Sequence, residues 1–202
     1  MPGQKAAEAE RREQILKAAY DVAVRRGIDG LTVRAVAARA RLSHGLVLFH
    51  FKRKDQLGLA LLDRVLETTM SLRVPDHISA IPDPRERLLA VFQQELRRLG
   101  EEPRRIRLFL EYWARGARNT VIRAKISAGL EGYRAALQRV TEEVLTTDGG
   151  RLHRSSPAGV AAIAVSLIIG YPVQALIDRN NFDAREYFAA VQNILGQLAL
   201  AA

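Results

Sequence analysis

The chain has 202 residues, 48% of them apolar, with 31 Lys and Arg against 22 Asp and Glu and no cysteine. That apolar share fills a real core and argues against disorder over most of the length, while the absence of cysteine excludes a disulfide framework and any thiolate zinc site. Of the formal net charge of +9, residues 1–54 carry 12 basic against 5 acidic side chains, a net +7, and residues 55–202 carry 19 against 17, a net +2. A basic excess confined to one quarter concerns partners, nucleic acid or an anionic membrane surface, with a merely solvated basic face as the plain alternative. Met1 to Gln14 is polar and charged rather than an apolar signal segment, so a cytoplasmic protein is expected.

Helical periodicity begins with Ile15, Ala18, Ala19, Val22 and Ala23 on one face, and Gly27 is placed to end that helix. Thr32 then caps a short helix from Val33, and Ser43 caps another through about His50. A longer helix is predicted from Lys54 to Leu72, followed by a proline-punctuated loop, RVPDHISAIPDP. Asp83, Pro84 and Glu86 supply an N-cap, a first-turn proline and a capping-box acid for a helix to Leu99. Further helices are predicted over 104–117 and 120–145, then, after the break TDGGRLHRSS, from Ser156 to Ile177 and from Asp183 to Leu200. The fold class is all-α, about nine helices and no sheet, with a domain over 1–54 and a larger one over 55–202.

Two short helices joined by a tight turn, with small residues such as Ala37 at their crossing, form the helix-turn-helix pattern, whose second helix enters the major groove. Leu42, Val47 and Phe51 fit the core of such a module, leaving Ser43, His44, Gly45 and Leu46 to face base edges. Lys52, Arg53 and Lys54 open the next helix, where charge and free N–H groups both favour a phosphate.

The run LTVRAVAARARLSHGLVLFHFKRKDQL resembles the DNA-binding region of the TetR family of bacterial transcriptional repressors, over residues 10–66. The segments EYWARGARN and GYPVQALIDRNNFDAREY are similar to the C-terminal domains of its choline-responsive BetI-type branch. The resemblance implies a ligand-responsive homodimeric repressor on a palindromic operator. It makes Thr32 a phosphate contact and Arg34 a base or phosphate contact. Ser43, His44, Gly45 and Leu46 become reading positions, His50 a backbone contact and Lys54 the phosphate-binding lysine. Three positions depart from the family: Leu48 stands in place of an aromatic phosphate contact, Arg41 in place of a turn glycine, and Arg53 in place of a small capping residue. A left-handed Arg41 would cost roughly 1–2 kcal/mol.

The family also implies a small-molecule effector. Phe109, Glu111, Tyr112 and Trp113 on one helix, with Tyr133 and Gln174 from others, are expected to form an aromatic and carboxylate-bearing pocket suited to a cation. The competing reading is that Phe109 and Trp113 are core residues at helical spacing. Ala158 to Ile177 carries no charge. A helix apolar on all sides is either membrane-spanning or buried, and burial against a second subunit is expected here. The dimer interface then comprises Ile163, Leu167, Phe188, Val191, Ile194 and Leu195. The helix from Lys54 to Leu72 is expected to link reading module and effector domain and transmit the signal. No glycine-rich phosphate loop, HExxH motif or His–carboxylate cluster points to catalysis, a metal or a cofactor. The rival function is an architectural DNA-binding protein without a ligand.

Overall fold

A computed structural model describes residues 2–147 and 156–200, with side chains over 7–143 and 156–194. Among the described residues there are ten helices and no strand: α1 (Pro2–Arg26), α2 (Val33–Ala40), α3 (His44–Phe51), α4 (Lys54–Thr69), α5 (Asp76–Ser79), α6 (Pro84–Gly100), α7 (Pro103–Gly116), α8 (Thr120–Thr147), α9 (Pro157–Ile177) and α10 (Ala184–Leu200). The tenth is the single turn α5, inside the predicted proline-punctuated loop. Apart from Ser156, which caps α9, the break before that helix lies almost wholly outside the described residues.

The predicted caps form by local chemistry. The Thr32 hydroxyl accepts from the Ala35 N–H at 3.1 Å, Ser43 from Leu46 at 3.1 Å and Ser156 from Gly159 at 3.1 Å. The Asp83 carboxylate accepts from Arg85 and Glu86, and that of Asp183 from its own Arg185 and Glu186. Each supplies an acceptor to N–H groups that have no partner within the helix.

The chain packs as two compact units, one of residues 1–69 and 107–127, the other of 70–106 and 128–202. The first runs well past residue 54, where the basic excess stops. Its core is the predicted face of α1 together with Val36, Val47, Phe51 and the α4 residues Leu57, Leu61, Leu62 and Val65, all buried. Each buried Leu or Val contributes about 1.5–3 kcal/mol, which ties α4 to the three helices before it. That helix ends at Thr69, three residues short of the predicted end, and lies within the first unit, the second beginning at Met70. The helices with residues in both units are α7 and α8.

Two side chains of α1 secure the ends of the next two helices. Gln14 donates to the Ala40 carbonyl at 2.9 Å and Arg12 to the His50 carbonyl at 3.2 Å, with the Arg12 guanidinium 4.3 Å over the Phe51 ring. Carbonyls in the last turn of a helix lack internal donors, and these contacts supply them. Arg41 ends α2 in the left-handed region, φ 56° and ψ 43°, with its own N–H on the Ala38 carbonyl and that of Leu42 on the Ala37 carbonyl. This is the Schellman arrangement, made here by a residue with a Cβ.

The second unit buries Leu88, Val91, Phe92 and Leu96 of α6, Tyr133 and Leu137 of α8, and Ala161, Ala164, Val165 and Ile168 of α9. Pro172 sits inside α9 and cannot donate to the turn before it. By length and composition α9 is apolar enough to cross a membrane, and 28% of its most apolar window is buried within this chain.

Candidate nucleic-acid interface

The reading module exposes what its sequence pattern suggested. Thr32, Arg34, Ser43, His44, Gly45, Arg53 and Lys54 are exposed, while Leu46 and His50 are half-buried. Val47 and Phe51 point inward, at 0% and 2% exposure. The hydroxyls of Thr32 and Ser43 accept from their own helices and keep an O–H free to donate to a phosphate oxygen. A Cβ built on Gly45 would meet nothing within 4 Å, so no atom of this chain demands glycine there.

One residue of this surface was missed. Phe49 lies on the outer face of α3, 62% exposed, edge-on to His50 at 5.3 Å and with the Lys52 ammonium 5.2 Å over its ring. Its spacing from Gly45 and Leu46 puts it on their face, but a phenylalanine in an apolar run reads as core. Lys52 itself has positive φ, 53°, at the turn into α4. Lys52, Arg53 and Lys54 are all exposed, so three cations border the apolar face of α3.

The six residues expected to form an effector pocket are divided between the two units. Glu111, on α7, accepts from the Ile28 N–H at 2.7 Å, and its carboxylate approaches the ideal Cβ position of Gly27 to 3.2 Å. Gly27 has φ 71°, which leaves the chain free to turn there without a side chain in the way. The Tyr112 hydroxyl donates to the Gly58 carbonyl at 2.8 Å, and burial pushes this phenol well above its usual range. Phe109 is buried, edge-on to the partly exposed Trp113 with centroids 5.4 Å apart. Phe109, Glu111 and Tyr112 therefore hold α7 within the first unit, with Trp113 39% exposed beside them. Two solvent-exposed ion pairs lie beside that packing, Arg115 with Asp29 at 2.5 Å and Lys125 with Asp63 at 2.6 Å.

In the second unit the Gln174 side chain is exposed on α9. Tyr133 is fully buried and donates to Glu95 at 2.5 Å; burial first, then the Glu95 charge, drives its phenol upward. Glu95, also fully buried, takes a two-pronged ion pair from Arg98, at 2.6 and 2.9 Å. A buried carboxylate survives only with such partners, and position 95, four residues from both Val91 and Leu99, lies on the buried stripe of α6.

Of the expected dimer residues, Ile163 and Ile194 are exposed at 57% and 46%, and Leu167 and Phe188 are half-buried. Val191 is turned into its own unit at 2% exposure, so it belongs to the protomer core. The Leu195 side chain lies outside the described residues. Ile177, not expected, is 78% exposed.

Residues 15–61 match the family model of bacterial regulatory proteins, tetR family, and residues 84–200 that of the BetI-type transcriptional repressor, C-terminal. A relative described as an uncharacterised HTH-type transcriptional regulator in the dhlA 5′ region of Xanthobacter autotrophicus is 33% identical over 178 residues, covering 85% of this chain and 82% of that one. Among solved structures, a transcriptional regulator from Saccharomonospora viridis in complex with choline superposes with a TM-score of 0.74 at 21% identity, over 93% and 96% of the two chains. The multidrug binding protein EbrR complexed with imidazole gives 0.64 at 27% identity, over 94% and 89%.

Proposed function

The chain belongs to the TetR family of DNA-binding transcriptional regulators, and on that premise we propose that it is a cytoplasmic, ligand-responsive repressor acting as a homodimer on a palindromic operator. The observation that carries the reading is the exposed face of α3, Ser43 to Leu46 with Phe49, bordered by Lys52, Arg53 and Lys54. His44 and Leu46 reach base edges, Gly45 lets the backbone approach them, and Phe49 offers its ring to a thymine methyl or a sugar. Thr32, Arg34, His50, Arg53 and Lys54 hold phosphates, which sets register and makes affinity fall with salt at a log–log slope near −0.9 per phosphate neutralised.

A palindrome requires a two-fold protein, and α9 supplies the surface for one. Its uncharged 158–177 stretch leaves Ile163 and Ile177 in water, an apolar face that a second copy covers without desolvating any charge. Effector control is a population shift: a ligand that binds one spacing of the two reading helices better than the other moves the dimer off its operator. The effector site belongs to the part of the second unit that the BetI-type C-terminal match covers. The choline bound by the structural relative from Saccharomonospora viridis favours a cation there.

The test is to retain sheared genomic DNA on the purified protein and sequence what stays bound. Enrichment of one or a few palindromes is expected. Retention without a shared site would replace this reading with an architectural one, and no retention would remove the DNA-binding reading altogether.

A further inference from the structure

The first unit contains a cleft of about 400 Å³ on the flank of α4, within the size range of small-molecule sites. One wall is apolar, formed by Ile28 and Leu59 with Val121 and Ile122 from the start of α8 and the ring of Tyr112, and Asn119 adds a neutral polar group. Tyr112 brings no free polar group to it, because its hydroxyl is bonded to Gly58. Val121 stands 53% exposed, an apolar side chain in water for which the fold itself has no use.

The charge around this wall is one-sided. Arg53, Lys54 and Arg115 line the cleft against one acid, Asp55. Neither Arg53 nor Lys54 has an ion-pair partner among the described residues. The partner of Arg115, Asp29, is 95% exposed, so that pair is screened by solvent and easily exchanged. An apolar wall beside three available cations selects a molecule with an apolar body and a single anionic end.

We propose that this cleft binds a small amphiphilic carboxylate, aryl or short-chain alkyl, with its apolar part on Val121 and Ile122 and its carboxylate on Arg53, Lys54 and Arg115. The site is separate from the effector position in the second unit and assigns this chain a second ligand. Its consequence for regulation rests on the DNA-binding reading above. The ammonium of Lys54 cannot serve a ligand carboxylate and a DNA phosphate at once, so each occupant weakens the other by the same factor. Such a ligand opposes DNA binding directly, at the α3–α4 turn.

Calorimetric titration of the full chain without DNA tests the site, using phenylbutyrate and its uncharged amide as probes. The carboxylate is expected to bind in the sub-millimolar range and the amide about tenfold or more weaker, the factor corresponding to one net charge contact. Val121→Asp, an exposed position whose folding is checked by circular dichroism, should abolish binding, and Arg53→Ala should weaken it. Equal affinity for acid and amide, binding indifferent to Val121→Asp, or no binding at millimolar probe would overturn the proposal. A second titration with saturating duplex DNA should show the carboxylate displaced, and undiminished binding there would overturn the competition. The DNA-free titration stands even if no genomic fragment is retained, so failure of the regulator reading and failure of this site are distinguishable.

Discussion

Helices α3 and α9 are both strongly apolar, and each leaves large side chains in water, Phe49 on one and Ile163 and Ile177 on the other. They differ in their borders. Beside α3 stand Lys52, Arg53 and Lys54, whereas the 158–177 stretch of α9 carries no charge at all. An apolar face edged with cations suits a polyanion that also offers methyl groups and sugar carbons. One without charge suits a partner equally free of charge, and the nearest is a second copy of the same helix. Exposure alone does not distinguish the two, and the charged rim does.

The most severe way to break this contrast is to put a charge on the uncharged face. Ile163→Glu should leave the protomer folded, because the position is exposed, yet halve the mass in sedimentation to that of the 22.5 kDa chain, since burying an unpaired carboxylate costs several kcal/mol. A wild-type chain that already sediments at that mass would remove the premise. On the charged side, Lys54→Ala should weaken DNA binding on all sequences and lower the salt slope by about 0.9 per protomer. An unchanged slope would mean that this lysine meets no phosphate.

Glu111 tests whether the groove-facing helices depend on the packing beneath them. Replacing it with Ala leaves the Ile28 N–H without its acceptor and should lower stability by about 1–3 kcal/mol in urea unfolding, while Glu111→Gln, which keeps an acceptor oxygen, should recover most of the loss. Gly45→Ala should divide the two measurements. Gly45 is the second residue of α3, and restricting the unfolded chain there raises stability by about 0.4–1 kcal/mol, while the added methyl, which meets nothing in the chain, should reduce DNA affinity. Rising stability with unaltered affinity would show that no base comes close to that point. The smallest expected effect is Arg41→Gly, a change in stability of under about 0.5 kcal/mol, because relief of the left-handed strain is offset by the greater freedom glycine gives the unfolded chain.

Those same residues mark what the sequence made legible. Thr32, Ser43, Asp83, Ser156 and Asp183 could be read as caps because a cap is a contract between neighbours three residues apart. The left-handed Arg41 followed from the family resemblance, in which a glycine holds that turn. Glu111 and Ile28 meet across 83 positions, and nothing near either residue announces the other. Glu95 shows a second limit: its spacing from Val91 and Leu99 puts it on the buried stripe of α6, but nothing near it announces the tyrosine that meets it 38 positions on. The aromatic group of α7 was visible as a group, but its purpose was not. Aromatic spacing is the same in a cage as in a core, and only the hydrogen bonds to Ile28 and Gly58 separate them.

The way α3 is held has a consequence for how such proteins diversify. Its beginning is fastened by Ser43 and its end by Arg12 reaching the His50 main chain, while Val47 and Phe51 anchor its inner side. The side chains at 44, 45 and 46 belong to none of these fastenings. The exposed pair, 44 and 45, can be exchanged with little penalty to the scaffold, so on the reading proposed above a lineage built on this headpiece acquires new operators by drift at neighbouring codons.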